Sequence, residues 1–547
     1  MICRNDGATY RQLRDTFRWR IPESFNLGVV CADRHPRDLL ALIDCDDSGD
    51  RTYTFGDLSD LSNRVANTLR AEGVRPGDRV GIILRQCVEA AITHLGVYKL
   101  GAIAVPMSCL FGPQALSYRL GDASVRVVVT DVAHAEGVHA ADPDDVVRTL
   151  VVDGSTGTRH PQFWDLVYAA SPHFTPAGTG PDSPALLIYT SGTTGAPKGA
   201  LHGHRVLLGH VPGFQLSHDF FPVPGDRFWT PADWAWIGGL MDALMPSLYF
   251  GMPVVAAARD KFDPEWALDL VDRTEVRNMF MPPTALRLMR GVALPSSPRL
   301  PLRSVMCGGE PLGEETLQWA REQLGVTVNE IYGQTEVNYV VGNSYTVWEV
   351  RPGSMGRPYP GHDVCVLGED EAQVPRGEIG QVAVNASDPV AFLGYWDNAE
   401  ATHGKHSNDG AWILTGDLAR QDEDDYLWFV SRNDDIINSG GYRIGPAEIE
   451  ACLIRHPAVA MAAAVGVPHA VRGEIVKAFV QLHPGHRPSE GLADEIRRLV
   501  QQQLAAYEYP REIEFVDALP VTTTGKVRRS VLRARQPAQS DAMRYSS

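Results

Sequence analysis

The chain has 547 residues, which at roughly 150 residues per domain makes three or four domain-sized units. Hydrophobic residues make up 44% and charged residues 21%, ordinary for a globular protein; collagen, a disulfide scaffold and a mainly disordered chain are excluded. Fifty Lys and Arg against 67 Asp and Glu leave a net charge of −17, a field that repels nucleic acid and anionic lipid, so an anionic substrate must be held by local positive groups.

The eight cysteines (Cys3, Cys31, Cys45, Cys87, Cys109, Cys307, Cys365, Cys452) are scattered without a C-x-x-C pair. That suits reduced, mostly buried thiols in a cytosol better than disulfides or zinc. The first 24 residues carry charges throughout and lack the apolar core of a signal peptide. The most apolar stretch, Ile237 to Ala258, is interrupted by Asp242, Pro246, Gly251 and Pro253, whereas a membrane span needs about 20 uninterrupted apolar residues. A cytoplasmic protein without a membrane span is expected.

In chain order, Arg79 to Leu84 reads as a buried strand, Val88 to Leu100 as a helix stopped by Gly101, and Ala102 to Met107 as a returning strand, a βαβ unit. Further apolar strands are expected at Val125 to Asp131, Ala185 to Thr190, Pro253 to Ala258, Arg277 to Pro283 and Leu302 to Gly309. Helical periodicity appears at Asp263 to Thr274, Thr284 to Arg290 and Glu314 to Leu324. Buried strands alternating with helices predict an α/β fold with parallel sheets covered on both faces. From about Gly353 the segments become shorter and turn-rich, a distorted β subdomain. A small α+β segment runs from the charged stretch Arg432 to Asn438 to about Arg535. The expected division is 1–433, 434–536 and a frayed tail, 537–547.

Tyr189 to Gly199 (YTSGTTGAPKG) follows a buried strand and packs four hydroxyls, three glycines and a lysine into the ten residues after Tyr189. Glycines let backbone N–H groups turn toward an anion, hydroxyls donate to phosphate oxygens, and Lys198 adds a point charge. A Walker loop requires G-K-[ST], which occurs nowhere in the chain, so a P-loop NTPase is disfavoured. Taken alone, a solvated surface loop would read the same way.

As a whole string, this loop resembles the signature of the adenylate-forming superfamily: acyl-CoA synthetases, luciferases and the adenylation domains of peptide synthetases. The resemblance runs from about Thr52 to Arg535. KFDP (Lys261 to Pro264), SGGYRIGPAEIE (Ser439 to Glu450), VRGEIVKAF (Val471 to Phe479) and YPREIEFVDALP (Tyr509 to Pro520) look most like its medium-chain acyl-CoA synthetase branch. It implies a large AMP-binding domain and a small mobile lid. The reaction implied is attack of a carboxylate on the α-phosphate of ATP, giving acyl-AMP and pyrophosphate, and then transfer of the acyl group to coenzyme A. Mg²⁺ is implied as cofactor. The implied partners are small molecules only; self-association stays open. Loading of an acyl carrier protein is the alternative within enzymes, and a silent nucleotide sensor the alternative outside them.

The resemblance assigns Thr190, Ser191, Gly192, Thr193, Thr194, Gly195 and Lys198 to the phosphates, and Gly309, Glu310 and Pro311 to the adenine. Tyr332, Gly333, Gln334, Thr335 and Glu336 would flank the nucleotide, with Glu336 helping to hold Mg²⁺. Asp417 and Arg432 would meet the ribose, although a Thr-Gly-Asp turn is ordinary by itself. Lys526, in a loop that departs from the common form by its three threonines, would be the catalytic lysine of the lid; without the resemblance it reads as a basic surface tip. Asp434 would be the hinge, Gly441 would line the thiol's tunnel, and Arg443 would approach phosphate.

Relatives specific for very short acids carry tryptophan where this chain has Gly333, so glycine implies an open acyl pocket. Trp236 matches an aromatic beside the acyl chain, and Trp234 reshapes the pocket or packs in the core. Two or three extra buried methylenes, at about 0.8 kcal/mol each, would shift preference roughly tens-fold toward a medium-chain, branched or aryl acid. His202 and His204 are the nearest to a metal pair but have no third ligand at familiar spacing.

Overall fold

The computed structural model describes residues 2, 7–46, 49–142, 147–153, 160–190, 196–292, 300–432, 435, 437–439, 442–469, 473–504, 509–522 and 526–535, except for the side chains of residues 438, 442, 443, 448 and 473. Two compact units result: Met1–Val364 with Ala383–Leu414, and Cys365–Val382 with Thr415–Ser547. By this division, the boundary expected at 433 and 434 falls inside the second unit. The tail expected at 537–547 lies outside the described residues.

The first unit holds two large sheets. In one, the strands run in the order Gly394–Tyr395, Lys198–Gly203, Pro184–Thr190, Ile103–Pro106, Arg79–Ile83, Val125–Thr130, Arg148–Val151. The last five are mutually parallel; Lys198–Gly203 runs antiparallel to Pro184–Thr190, and Gly394–Tyr395 runs antiparallel to Lys198–Gly203 at the edge. The expected βαβ unit is there. Helix Val88–Leu100 buries all of its residues except Glu89 and stops at Gly101, whose φ of 73° suits glycine. Its buried Lys99 is matched by Asp33 at 2.7 Å and Asn63 at 2.9 Å, so this charge is not left unpaired in the core.

The second sheet has nine strands, in the order Arg357–Pro358, Val341–Gly342, Val328–Tyr332, Ser304–Gly308, Asn278–Met281, Phe228–Trp229, Val254–Ala256, Leu40–Asp46, Gly49–Thr54. Its Val-, Met- and Ile-rich central strands are buried on both faces, as parallel strands covered by helices must be. Each such side chain contributes roughly 1.5–3 kcal/mol by leaving water. The apolar stretch 237–258 breaks into a short helix, a π turn at Leu240–Leu244, helix Met245–Tyr249 and strand Val254–Ala256. Among the described residues no helix is long and apolar enough to cross a membrane. The helix expected at Glu314 to Leu324 is α-helical only to Trp319 and widens into a π turn at Ala320–Leu324 before Gly325.

In the second unit, strand Leu427–Arg432 pairs antiparallel with Asp417–Gln421. A five-stranded sheet follows, in which Val459–His469, at one edge, pairs antiparallel along its length with Gly473–Leu482. Ile437–Ser439, Tyr442–Ile444 and Glu512–Phe515 complete that sheet. Helices Pro446–Ile454 and Glu490–Gln503 cover it, burying Ile449, Cys452, Leu453, Ile496 and Val500.

Candidate active site

Strand Pro184–Thr190 and strand Lys198–Gly203 are paired so that Thr190 stands opposite Lys198. Both ends of the glycine-rich loop are therefore pinned, and the Thr190 hydroxyl donates to the Lys198 carbonyl at 3.4 Å. Ser191, Gly192, Thr193, Thr194 and Gly195 lie outside the described residues.

The edge strand Gly394–Tyr395 adds to Lys198–Gly203, and the Trp396 N–H donates to the Gly199 carbonyl at 2.7 Å. This sets the Tyr395 ring under Lys198, whose Nζ lies 5.3 Å from the ring centroid, a cation–π distance. The Tyr395 hydroxyl donates to Oε1 of Glu336, and the Phe392 N–H to the Glu336 carbonyl at 2.9 Å. Lys198, Tyr395 and Glu336 thus form one contiguous chain of groups beside the loop. The sequence reading singled out Lys198 and Glu336 but missed Tyr395. Its signal was the aromatic run FLGYW, Phe392 to Trp396, directly after a buried apolar segment.

Strand Val328–Tyr332 delivers the motif that contains Glu336. The turn closes by reciprocal bonds between Gln334 and Val337, at 3.0 and 3.2 Å, and Lys405 donates to the Gln334 side chain at 3.1 Å. Thr335 is half-buried in this turn and Glu336 is buried. A Cβ on Gly333 would lie 2.4 Å from the Tyr339 nitrogen and 2.7 Å from the Asn338 Cα. Backbone closeness therefore requires glycine here, quite apart from any role in a pocket. Behind the turn, the Asn338 amide donates to Asp242 at 2.6 Å and meets His210 Nε2 at 3.0 Å. His210 Nδ1 donates to the Val206 carbonyl at 2.7 Å, which leaves Nε2 to accept. Burial pushes the Asp242 carboxyl up and His210 down to about 4, so the imidazole is neutral at pH 7.

Strand Ser304–Gly308 ends in the loop of Gly309, Glu310 and Pro311. Gly309 has φ of 96°, a region open to glycine. Arg287 holds this loop by pairing with Glu310 at 3.3 Å and donating to the Pro311 carbonyl at 2.9 Å. From the neighbouring strand, Glu330 accepts the Leu312 N–H at 2.9 Å. Desolvation pushes the Glu330 carboxyl up to about 7. Neither Arg287 nor Glu330 belongs to a recognisable motif, and the sequence reading missed both.

Trp234 is buried, with an indole N–H that has no partner among the described residues, whereas Trp236 is half-buried and meets Phe111 edge-on at 5.8 Å. His202 and His204 are both buried, and desolvation holds them down to about 3 and about 4. His204 Nδ1 accepts the Leu27 N–H at 3.1 Å. Among the described residues, neither histidine joins a group of three metal-ligating side chains.

In the second unit, Asp417 stands opposite Arg432 across a strand pair, with its carboxylate 3.3 Å from the guanidinium. Thr415 orients this turn by donating to the Val382 carbonyl at 2.7 Å and accepting the Asp417 N–H at 3.1 Å. Lys526 is exposed at the end of a hairpin closed by reciprocal bonds with Thr522, at 2.7 and 3.1 Å. Asp434 and Gly441 lie outside the described residues, as does the side chain of Arg443, whose backbone pairs with Asn438.

A family model described as AMP-binding enzyme matches residues 30–396, and one described as AMP-binding enzyme C-terminal domain matches 448–526. The chain belongs to the AMP-binding enzyme family. It is similar to the acetyl-coenzyme A synthetase of Bacillus subtilis, 34% identical over 520 residues, which cover 93% of this chain and 90% of that one. It is also similar to the mitochondrial acyl-coenzyme A synthetase ACSM3 of Mus musculus, 31% identical over 547 residues, covering 97% and 93%. Among solved structures it resembles the anthranilate CoA ligase AuaEII in complex with anthranoyl-AMP, with a TM-score of 0.85, 29% identity and coverage of 94% and 98%. This AMP-binding enzyme is an ATP-dependent acyl-CoA ligase, an acid–thiol ligase that forms AMP.

Proposed function

We propose that the ligase activates a medium-chain, branched or aryl carboxylic acid as its acyl-adenylate and passes the acyl group to coenzyme A. The observation that carries this reading is the contiguous group Lys198–Tyr395–Glu336 beside the glycine-rich hairpin.

In the first step a carboxylate oxygen bonds to the α-phosphorus of ATP, the bond to the β-phosphate oxygen breaks, and pyrophosphate departs. Two unit charges 4 Å apart repel by about 1 kcal/mol in water and about 4 kcal/mol at an effective dielectric of 20, so catalysis rests on cations and donors already in place. Lys198 is assigned to the departing phosphates together with the loop hydroxyls, and Thr335 to the α-phosphate. Lys526 is assigned to bridging carboxylate and α-phosphate from the lid, taken as residues 434–536. The loop of Gly309, Glu310 and Pro311, with Tyr332 and Gln334, is assigned to the adenine side, and Asp417 and Arg432 to the ribose hydroxyls. In the second step the thiol sulfur bonds to the acyl carbon, the mixed anhydride breaks, AMP leaves, and the thiol proton passes to solvent.

Glu336 fits Mg²⁺: it is a buried carboxylate oriented by the Tyr395 hydroxyl, and one carboxylate plus phosphate oxygens and waters is the usual shell of this ion. When bound, the ion neutralises phosphate charge. Asp434, Gly441 and Arg443 keep the hinge, tunnel and phosphate roles only as proposals.

The test is pyrophosphate exchange into ATP across an acid panel, followed by thioester formation with coenzyme A or a holo-carrier protein. Hexanoate or benzoate should exceed acetate, coenzyme A should exceed the carrier, and Lys526→Ala should abolish exchange. The likeness to an acetyl-coenzyme A synthetase is the specific observation in favour of acetate. Faster turnover of acetate would overturn the acyl assignment, and ATP binding without exchange for any acid would overturn the ligase chemistry.

A further inference from the structure

In the seven-stranded sheet, strand Arg79–Ile83 is flanked by Ile103–Pro106 on one side and Val125–Thr130 on the other, all parallel. That is a topological switch point, where chain connections leave in opposite directions and open a crevice at the carboxyl ends of the strands. Three side chains with metal-ligand chemistry meet beyond those ends. Cys109 comes from the loop after Ile103–Pro106, Asp131 is the residue that caps helix Val132–Ala141, and His134 lies in the first turn of that helix. One potential ligand atom from each lies within 4.8 Å of the other two, and all three residues are half-buried. Asp131 is already oriented: its Oδ1 accepts the His134 N–H at 2.9 Å and faces His134 Nδ1 at 2.6 Å.

We propose that Cys109, Asp131 and His134 form a site for a zinc-like divalent cation, separate from the Mg²⁺ site at Glu336. A thiolate, a carboxylate and an imidazole are the donors that Zn²⁺ accepts, and three protein ligands leave its fourth position open. The ionised thiol and carboxylate supply two negative charges, matching a divalent ion; the Cys109 proton goes to solvent on binding. Asp233 adds a further negative group near Cys109, and Arg85, which pairs with Asp260 at 2.5 Å, is the neighbouring cation. The site was invisible to spacing rules because its ligands come from two connections on either side of one strand. Phe111, two residues from Cys109, packs against Trp236, so a bound ion would fix the loop that carries this aromatic contact.

The test uses the full chain stripped of metal by a chelator. Titration with Co²⁺ should give a thiolate-to-cobalt charge-transfer band saturating at one ion per chain. Cys109→Ser should lose the band, and His134→Gln and Asp131→Asn should weaken binding by at least about tenfold. Because a variant can fail to fold, alkylation of the wild-type chain by iodoacetamide is mapped in parallel. One equivalent of Zn²⁺ should slow modification of Cys109 at least about tenfold while leaving Cys45 unchanged. Absence of the band, its survival in folded Cys109→Ser, or equal modification of Cys109 with and without zinc would each overturn the site. Because these readouts require no acyl transfer, failure here leaves the ligase reading standing.

Discussion

Tyr395 shows how one side chain can link two charged groups that lie far apart in sequence. Its ring faces Lys198 while its O–H donates to Glu336. Tyr395→Phe keeps the ring and removes only the donor. A hydrogen bond to a charged group is worth about 1.5–3 kcal/mol, so pyrophosphate exchange should fall roughly 10- to 100-fold while the melting temperature changes little. An exchange rate equal to wild type would show that Glu336 needs no such orientation. Glu330 gives a pH prediction. Its native carboxyl is raised from about 4.5 to about 7, chiefly by desolvation. Below the lower value both folded and unfolded chains hold the proton. Between the two values only the folded chain holds it, so stability falls as pH rises, and the loss is complete above about pH 7. Glu330→Gln should remove this loss and gain on the order of 1–3 kcal/mol at pH 8, the lower end reflecting partial solvent access. Urea denaturation of both proteins at pH 5 and pH 8 checks it; an equal difference at the two pH values would refute it.

At the scale of elements, parts of the second unit are locked together by ion pairs between segments distant in the chain. Arg529, at the start of helix Arg529–Ala534, pairs with Glu450 at 2.6 Å and Asp435 at 3.1 Å, and Arg533 of the same helix reaches Asp435 at 2.5 Å. Asp435 directly follows the proposed hinge Asp434, and Arg529 lies three residues beyond Lys526. The segment that carries Lys526, the helix Pro446–Ile454 and Asp435 are therefore held together as one piece. Burial raises the Glu450 carboxyl even against the pull of Arg529, so leaving this group unpaired is costly. Arg529→Ala should destabilise the second unit by about 2–3 kcal/mol and reduce exchange, with Arg529→Lys in between. An unchanged denaturation midpoint would show that these pairs carry no net weight. The sequence revealed the elements themselves well: Val88–Leu100, Val125–Thr130 and Asn278–Met281 stand where periodicity placed them. It did not reveal the π turns at Leu240–Leu244 and Ala320–Leu324, because no local residue type marks a single turn with i→i+5 hydrogen bonds.

For the whole molecule, local strings were sufficient to reveal the family and the chemistry. The glycine-rich hydroxyl loop, the Tyr332 to Glu336 motif and the alternation of buried strands with helices each depend on residues close in sequence. The covalent spacing of those residues already limits what they can do. Tertiary structure decided what depends on distant segments meeting: the Lys198–Tyr395–Glu336 chain, the Arg287 and Glu330 hold on the Gly309 loop, the Asn338 bridge between His210 and Asp242, and the approach of Cys109 to Asp131 and His134. Strand order and burial create those encounters, and burial also sets which of these groups are neutral. Neither is written in any short stretch of residues.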